Sequence, residues 1–219
     1  HIYIALVDPA EVEGQLAAAK TVRDHGLVAV PHVPARFVKD RNDLETRVAN
    51  LAGVGVKNIL VLGGGAAEPI GDYDAAIQLF ETGVFEKNGI THVGIAGHPE
   101  GNPDITKKHG EAMLLKALKE KQAYITSHGL TGHIATQFLF EAEPVADWAA
   151  GLRAEGITLP IHVGIPGPAT IKTLAKYALM CGVGLAKIHA ERPALDIKAP
   201  HLYPFGGFDK LFDWLSPKL

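Results

Sequence analysis

Short, almost wholly apolar runs alternate along this chain with amphipathic segments, and polar residues gather just after each apolar run. The apolar runs predict strands over Ile2 to Val7, Leu27 to Val30, Asn58 to Leu62, His92 to Ala96, Ile134 to Phe138 and Ile161 to Ile165. They lack the polar alternation of a half-solvated sheet and read instead as parallel strands covered on both faces. Between them, apolar residues recur at helical spacing. Val12, Leu16, Ala19 and Val22 form one stripe, which Asp8 can cap and Gly26 ends. Further helices are predicted over Leu44 to Ala52, Asp74 to Glu81, Lys107 to Lys121, Val145 to Glu155 and Ala169 to Cys181. Pro31-His32-Val33-Pro34 is read as the exit loop of the second strand.

The strand-to-strand spacing is about 30 residues, the length of a βα unit. The expected fold class is therefore α/β, a (β/α)8 TIM-type barrel forming one domain over 1–219, with a doubly wound open sheet as the alternative. Fewer than eight strands are found. The first strand is expected to precede His1, or loops between Lys187 and Ala199 to be shortened. The stretch after Gly182 is too short and proline-marked for a full strand-helix-strand. His201 to Phe205 is expected as a last strand and Phe208 to Leu215 as a closing helix.

Composition narrows the partners. Hydrophobic residues make up 47% and charged residues 21% of 219, and the net charge is −3. This balance gives no electrostatic reason to expect nucleic acid or an anionic membrane. Cys181 is the single cysteine, so no intrachain disulfide forms, and its apolar helix makes it a buried thiol rather than a nucleophile. No signal peptide or spanning segment is visible, which leads us to expect a cytoplasmic protein. The aromatic cluster Phe205, Phe208, Phe212 and Trp214 is expected to close the core; a homo-oligomer contact is the alternative.

The candidate chemistry lies in the turns after the strands, which in a barrel share one mouth. Gly94-Ile95-Ala96-Gly97-His98-Pro99-Glu100-Gly101-Asn102-Pro103-Asp104 puts an imidazole, a carboxylate and an amide on a stiff turn. His32, His98, His162 and Glu100 have ligand chemistry but no tight metal-ligand spacing, so no metal is expected. Gly63-Gly64-Gly65 and Gly167 would let backbone approach an anion, yet match neither phosphate-loop pattern, and plain tight turns explain them equally well. Gln137 offers a planar fork of donor and acceptor suited to a heteroaromatic edge. No protein nucleophile is arranged for attack, which leaves the chemistry to a cofactor or the substrate.

Taken together, Pro31-His32, the NILVLGG run of 58–64, the Gly94 to Pro103 turn, Ala135-Thr136-Gln137-Phe138 and Gly164-Ile165-Pro166 resemble the methylenetetrahydrofolate reductase family, in the family's order. The resemblance covers residues 1 to 180. It implies a flavin-binding (β/α)8 barrel that moves a hydride between NAD(P)H, FAD and the one-carbon unit of tetrahydrofolate. It assigns His32, Gly63, Gly64, Gly65, Tyr73, His98, Lys119 and Lys121 to FAD. It assigns Glu100, Gln137 and Ile171 to the folate, with Gln137 reading the pterin ring. The general acid of the family would come from the strand upstream of His1. Three departures accompany the likeness: the glycine loop has lost the family's arginine and aspartate, the acid is not in view, and Ile171 replaces a stacking phenylalanine. Two alternatives follow, a flavin-independent NAD(P)H-dependent reductase and a non-catalytic folate- or flavin-binding barrel.

Overall fold

The computed structural model describes residues 1–166, 184 and 186–203. Its strands are β1 (Ile2–Ile4), β2 (Ala29–Pro34), β3 (Asn58–Leu62), β4 (His92–Gly97), β5 (Thr131–Phe138), β6 (Ile161–Pro166) and β7 (Ile197–Tyr203). Its helices are α1 (Val12–Asp24), α2 (Arg41–Gly53), α3 (Ala76–Phe80), α4 (Val84–Lys87), α5 (Pro103–His109), α6 (Ala112–Ser127) and α7 (Glu143–Ala154). Residues 186–191 are also helical. Strands adjacent in the sheet are adjacent in the chain, and the ladders β1–β2, β2–β3, β3–β4, β5–β6 and β6–β7 are parallel. This is the parallel α/β repeat of a TIM-type barrel, with seven strands among the described residues. No helix among them is long and apolar enough to cross a membrane.

Two compact units are distinguished. Residues 1–96 and 117–132 make the first, and residues 97–116 and 133–219 the second. The first closes around Leu44, Ile59, Leu79, Phe80, Phe85, Ile90 and Ile95, all fully buried. Phe80 and Phe85 meet edge to face at 5.5 Å. The second is built on Ile134, Ile157 and Ile161, together with His133, which is only 2% exposed. In this unit Arg153 at the end of α7 donates to the carbonyls of Ile157, Leu159 and Leu195. Those bonds tie the helix end to the approach of β7.

Several elements differ from the sequence reading. The stretch Pro31 to Pro34 is strand rather than exit loop. β2 pairs with β1 only through Pro31 and with β3 only from His32 onward. The missing proline N–H groups thus fall where one ladder ends and where the strand ends. The single helix expected over Lys107 to Lys121 is two helices, broken at Gly110, whose φ of 79° leaves helical space. The last strand begins at Ile197, not His201, because a 3-10 turn over Pro193–Leu195 and a left-handed Asp196 (φ 52°) redirect the chain at once. The expected Ala169–Cys181 and Phe208–Leu215 helices, Gly167, Ile171, Cys181 and the C-terminal aromatic cluster lie outside the described residues.

Candidate functional site

In the first unit, the C-terminal end of β1 and the middle of β2 are joined by a buried glutamine. Gln15 of α1 donates its Nε2 to the carbonyls of Ile4 and His32, both at 2.9 Å. The His32 ring packs edge-on to Tyr3 with centroids 6.3 Å apart. Its Nε2 is buried with no hydrogen-bond partner. Burial pulls the imidazole pKa from 6.5 to about 4, so the ring is neutral at physiological pH. A neutral imidazole with an unsatisfied nitrogen is a group prepared to meet a polar atom.

The glycine loop beyond β3 is shaped by its own packing. Gly64 has φ +99°, and a Cβ there would meet the Cβ of Pro34 at 3.0 Å. Arg36 then clasps the rest of the loop. Its Nη1 donates to the Ala66 carbonyl at 2.7 Å, and its Nε donates to the Asp74 carboxylate at 2.7 Å. Its backbone N–H also donates to the Gly63 carbonyl. Gly65 is exposed and open. Tyr73 is half-buried, and burial with the neighbouring Asp72 charge raises its pKa.

Of the two helical lysines, Lys119 is exposed and Lys121 is not. Leu118, Lys121 and Ile125 form the buried stripe of α6, and Lys121 is 8% exposed. Desolvation lowers its pKa from 10.5 to about 8.

The second unit holds the other candidates. His98 and Glu100 lie in a turn closed by the Gly101 N–H donating to the His98 carbonyl at 3.0 Å. Asn102 caps α5 by accepting from Asp104 N–H at 3.0 Å. Glu100 is exposed and His98 half-buried. A Cβ on Gly97 would stand 2.4 Å from Ile134 Cγ2, so this glycine is set by close packing.

Gln137 sits on a β-bulge. Between the pairs Ala135–His162 and Phe138–Gly164, β5 advances three residues while β6 advances two. Thr136 and Leu139 are buried, whereas Gln137 and Phe138 in succession are exposed. The Thr136 Oγ1 accepts from the Gly164 N–H at 2.8 Å and donates to the Gln137 carbonyl at 2.7 Å. The Tyr203 hydroxyl donates to the Thr136 carbonyl at 2.9 Å. Phe138 packs edge-on against both Tyr203 and Phe140, each at 5.8 Å. His162 stacks on His133 at 4.1 Å.

Sequence reasoning did not single out Gln15, Arg36 or Tyr203, and named Thr136 only within the Ala135 to Phe138 motif. Gln15 left a signal, because it occupies the buried stripe of α1 four residues before Ala19. The Thr136 and Tyr203 roles depend on cross-strand register, which no local pattern encodes.

Over residues 10–194 the chain matches the family model described as methylenetetrahydrofolate reductase. Solved structures share its fold. One, assigned as a phosphonomutase from Burkholderia cenocepacia J2315, superposes with a TM-score of 0.53 at 15% identity, covering 96% of this chain and 77% of that one. Another, 2,3-dimethylmalate lyase of the PEP mutase/isocitrate lyase superfamily, gives a TM-score of 0.53 at 10% identity, covering 94% and 64%. At such identities the likeness speaks to the fold alone.

Proposed function

This chain belongs to the methylenetetrahydrofolate reductase family, and from that premise we propose that it interconverts 5,10-methylene- and 5-methyltetrahydrofolate by hydride transfer with NAD(P)H. The observation that carries the reading is Gln137, exposed at the end of a bulged strand with its backbone fixed on both sides. Its carboxamide presents a donor and an acceptor in one plane, matching the amino and oxo groups along a pterin edge. Phe138 beside it adds an exposed aromatic face, a stacking surface for a ring system that Ile171 lacks.

In this reading the protein orients and the substrates react. Opening of the methylene bridge leaves an iminium carbon on N5 and puts a proton on N10. The nicotinamide hydride adds to that carbon, and the C=N π pair returns to N5. Glu100, exposed on its turn, is a carboxylate available to the folate.

The positions assigned to FAD divide. His32 fits a flavin polar atom, with its orphaned buried nitrogen. On the phosphate side Gly65 and Lys119 are exposed, but the rest of it does not fit. Gly64 is spent on packing against Pro34, the Arg36 guanidinium is committed to Ala66 and Asp74, and Lys121 is buried. We therefore derive no step through FAD and favour direct transfer from NAD(P)H. The test is NADH and NADPH oxidation with methylenetetrahydrofolate, using protein stripped of flavin, before and after adding FAD. Turnover without flavin, unchanged by FAD, is expected. A yellow protein whose turnover requires FAD restores the flavin route. Folate binding without turnover identifies a non-catalytic folate-binding barrel. Absence of both removes the reading.

A further inference from the structure

We propose that Thr136 and Tyr203 are positioning residues, which hold the Gln137 peptide so that its carboxamide meets the pterin edge at a fixed angle. The proposal rests on the reading of Gln137 as the ring-edge contact. Its physical basis is the bulge. An extra residue in a parallel ladder leaves a backbone donor without its strand partner. Here that donor is the Gly164 N–H, and the Thr136 hydroxyl satisfies it at 2.8 Å. The same hydroxyl spends its own proton on the Gln137 carbonyl at 2.7 Å. One side chain thus fixes the bulge and the peptide that carries Gln137 onward.

Tyr203 fixes the other end of that residue. It stands on β7, paired with Pro166 of β6, yet its hydroxyl reaches β5 and donates to the Thr136 carbonyl. Burial raises the phenol pKa and keeps the donated proton in place. Both peptide planes flanking the Gln137 Cα are therefore held by hydrogen bonds. A carboxamide on so fixed a backbone loses less freedom on binding than one on a mobile strand end.

The experiment measures the Kd for 5-methyltetrahydrofolate by calorimetry, and the folate KM against kcat, for the wild type and four variants. Thr136→Val keeps the shape and removes the hydroxyl, Thr136→Ser restores it, Tyr203→Phe removes the phenol oxygen, and Gln137→Ala removes the contact itself. Thr136→Val is expected to weaken folate binding about tenfold and raise KM with little change in kcat, because a uniform binding interaction is lost. Tyr203→Phe should do the same to a smaller degree, and Thr136→Ser should recover most of the loss. If Gln137→Ala weakens binding while Thr136→Val and Tyr203→Phe only lower the melting temperature, the positioning role is wrong and the reading of Gln137 stands. If Gln137→Ala leaves Kd unchanged, that reading falls and the proposal with it. Should Thr136→Val fail to fold, Tyr203→Phe decides by the same criterion.

Discussion

A methyl group on Gly164 would stand 2.2 Å from the carbonyl oxygen of Gln137. No real Cβ tolerates that approach, so the bulge in β5 and the glycine in β6 are one feature with two halves. Gly164→Ala is expected to destabilise the fold by about 3 kcal/mol, the range of an overpacked core with a displaced backbone. Denaturant unfolding measures this directly. A loss below about 0.5 kcal/mol, the scale of an ordinary surface change, would show that the strands shift without penalty.

Arg36 gives a second prediction. Its guanidinium holds the Gly63 to Asp74 loop through Ala66 and Asp74, and its side chain is mostly buried while that of Asp74 is half exposed. Arg36→Ala leaves the Ala66 carbonyl without this donor, and a loss of about 1–3 kcal/mol is expected. Limited proteolysis should show new cleavage between residues 64 and 74. Unchanged protection there would mean that Gly64 packing alone holds the loop.

His32 gives a pH dependence. Its folded pKa is about 4 against an ordinary 6.5. Between those values the unfolded chain binds more protons than the folded one, so stability rises with pH across that window and is lost as pH falls through it. NMR titration of the His32 ring should show a midpoint near 4. A ligand that accepts a hydrogen bond from Nε2 should move that midpoint upward. A midpoint near 6.5 would show the ring to be solvated.

Lys121 tests the phosphate assignment. With a folded pKa of about 8 against 10.5, the folded state binds fewer protons in that interval, and stability rises with pH across it. Below pH 8 the buried ammonium is a net penalty. Lys121→Met is therefore expected to raise the melting temperature at pH 7 and to flatten the rise between pH 8 and 10.5. Folate and NAD(P)H kinetics should stay within about twofold, as for a substitution away from the site. A large loss of nucleotide affinity would return Lys121 to the cofactor side.

What the chain announces by itself is the repeat. Apolar runs such as Asn58–Leu62 and Ile161–Pro166 must be buried on both faces, and the intervening stripes, such as Leu44, Val48 and Leu51, must cover them. That burial requirement is local and survives any rearrangement of loops, so strand, helix and fold class could be read in order. Gln137 and His32 stood out as candidates for the same reason, as polar residues at the ends of apolar runs in the sequence. Other matters depended on register. The prolines of β2 are harmless only because its ladders change partner at position 31, and Lys121 is buried only because α6 turns the Leu118–Ile125 stripe inward. The hold of Thr136 and Tyr203 on Gln137 depends on one extra residue in β5. Hydrogen bonds between strands 67 positions apart in sequence leave no periodic trace, because their geometry is set by the pairing of backbones rather than by the order of side chains.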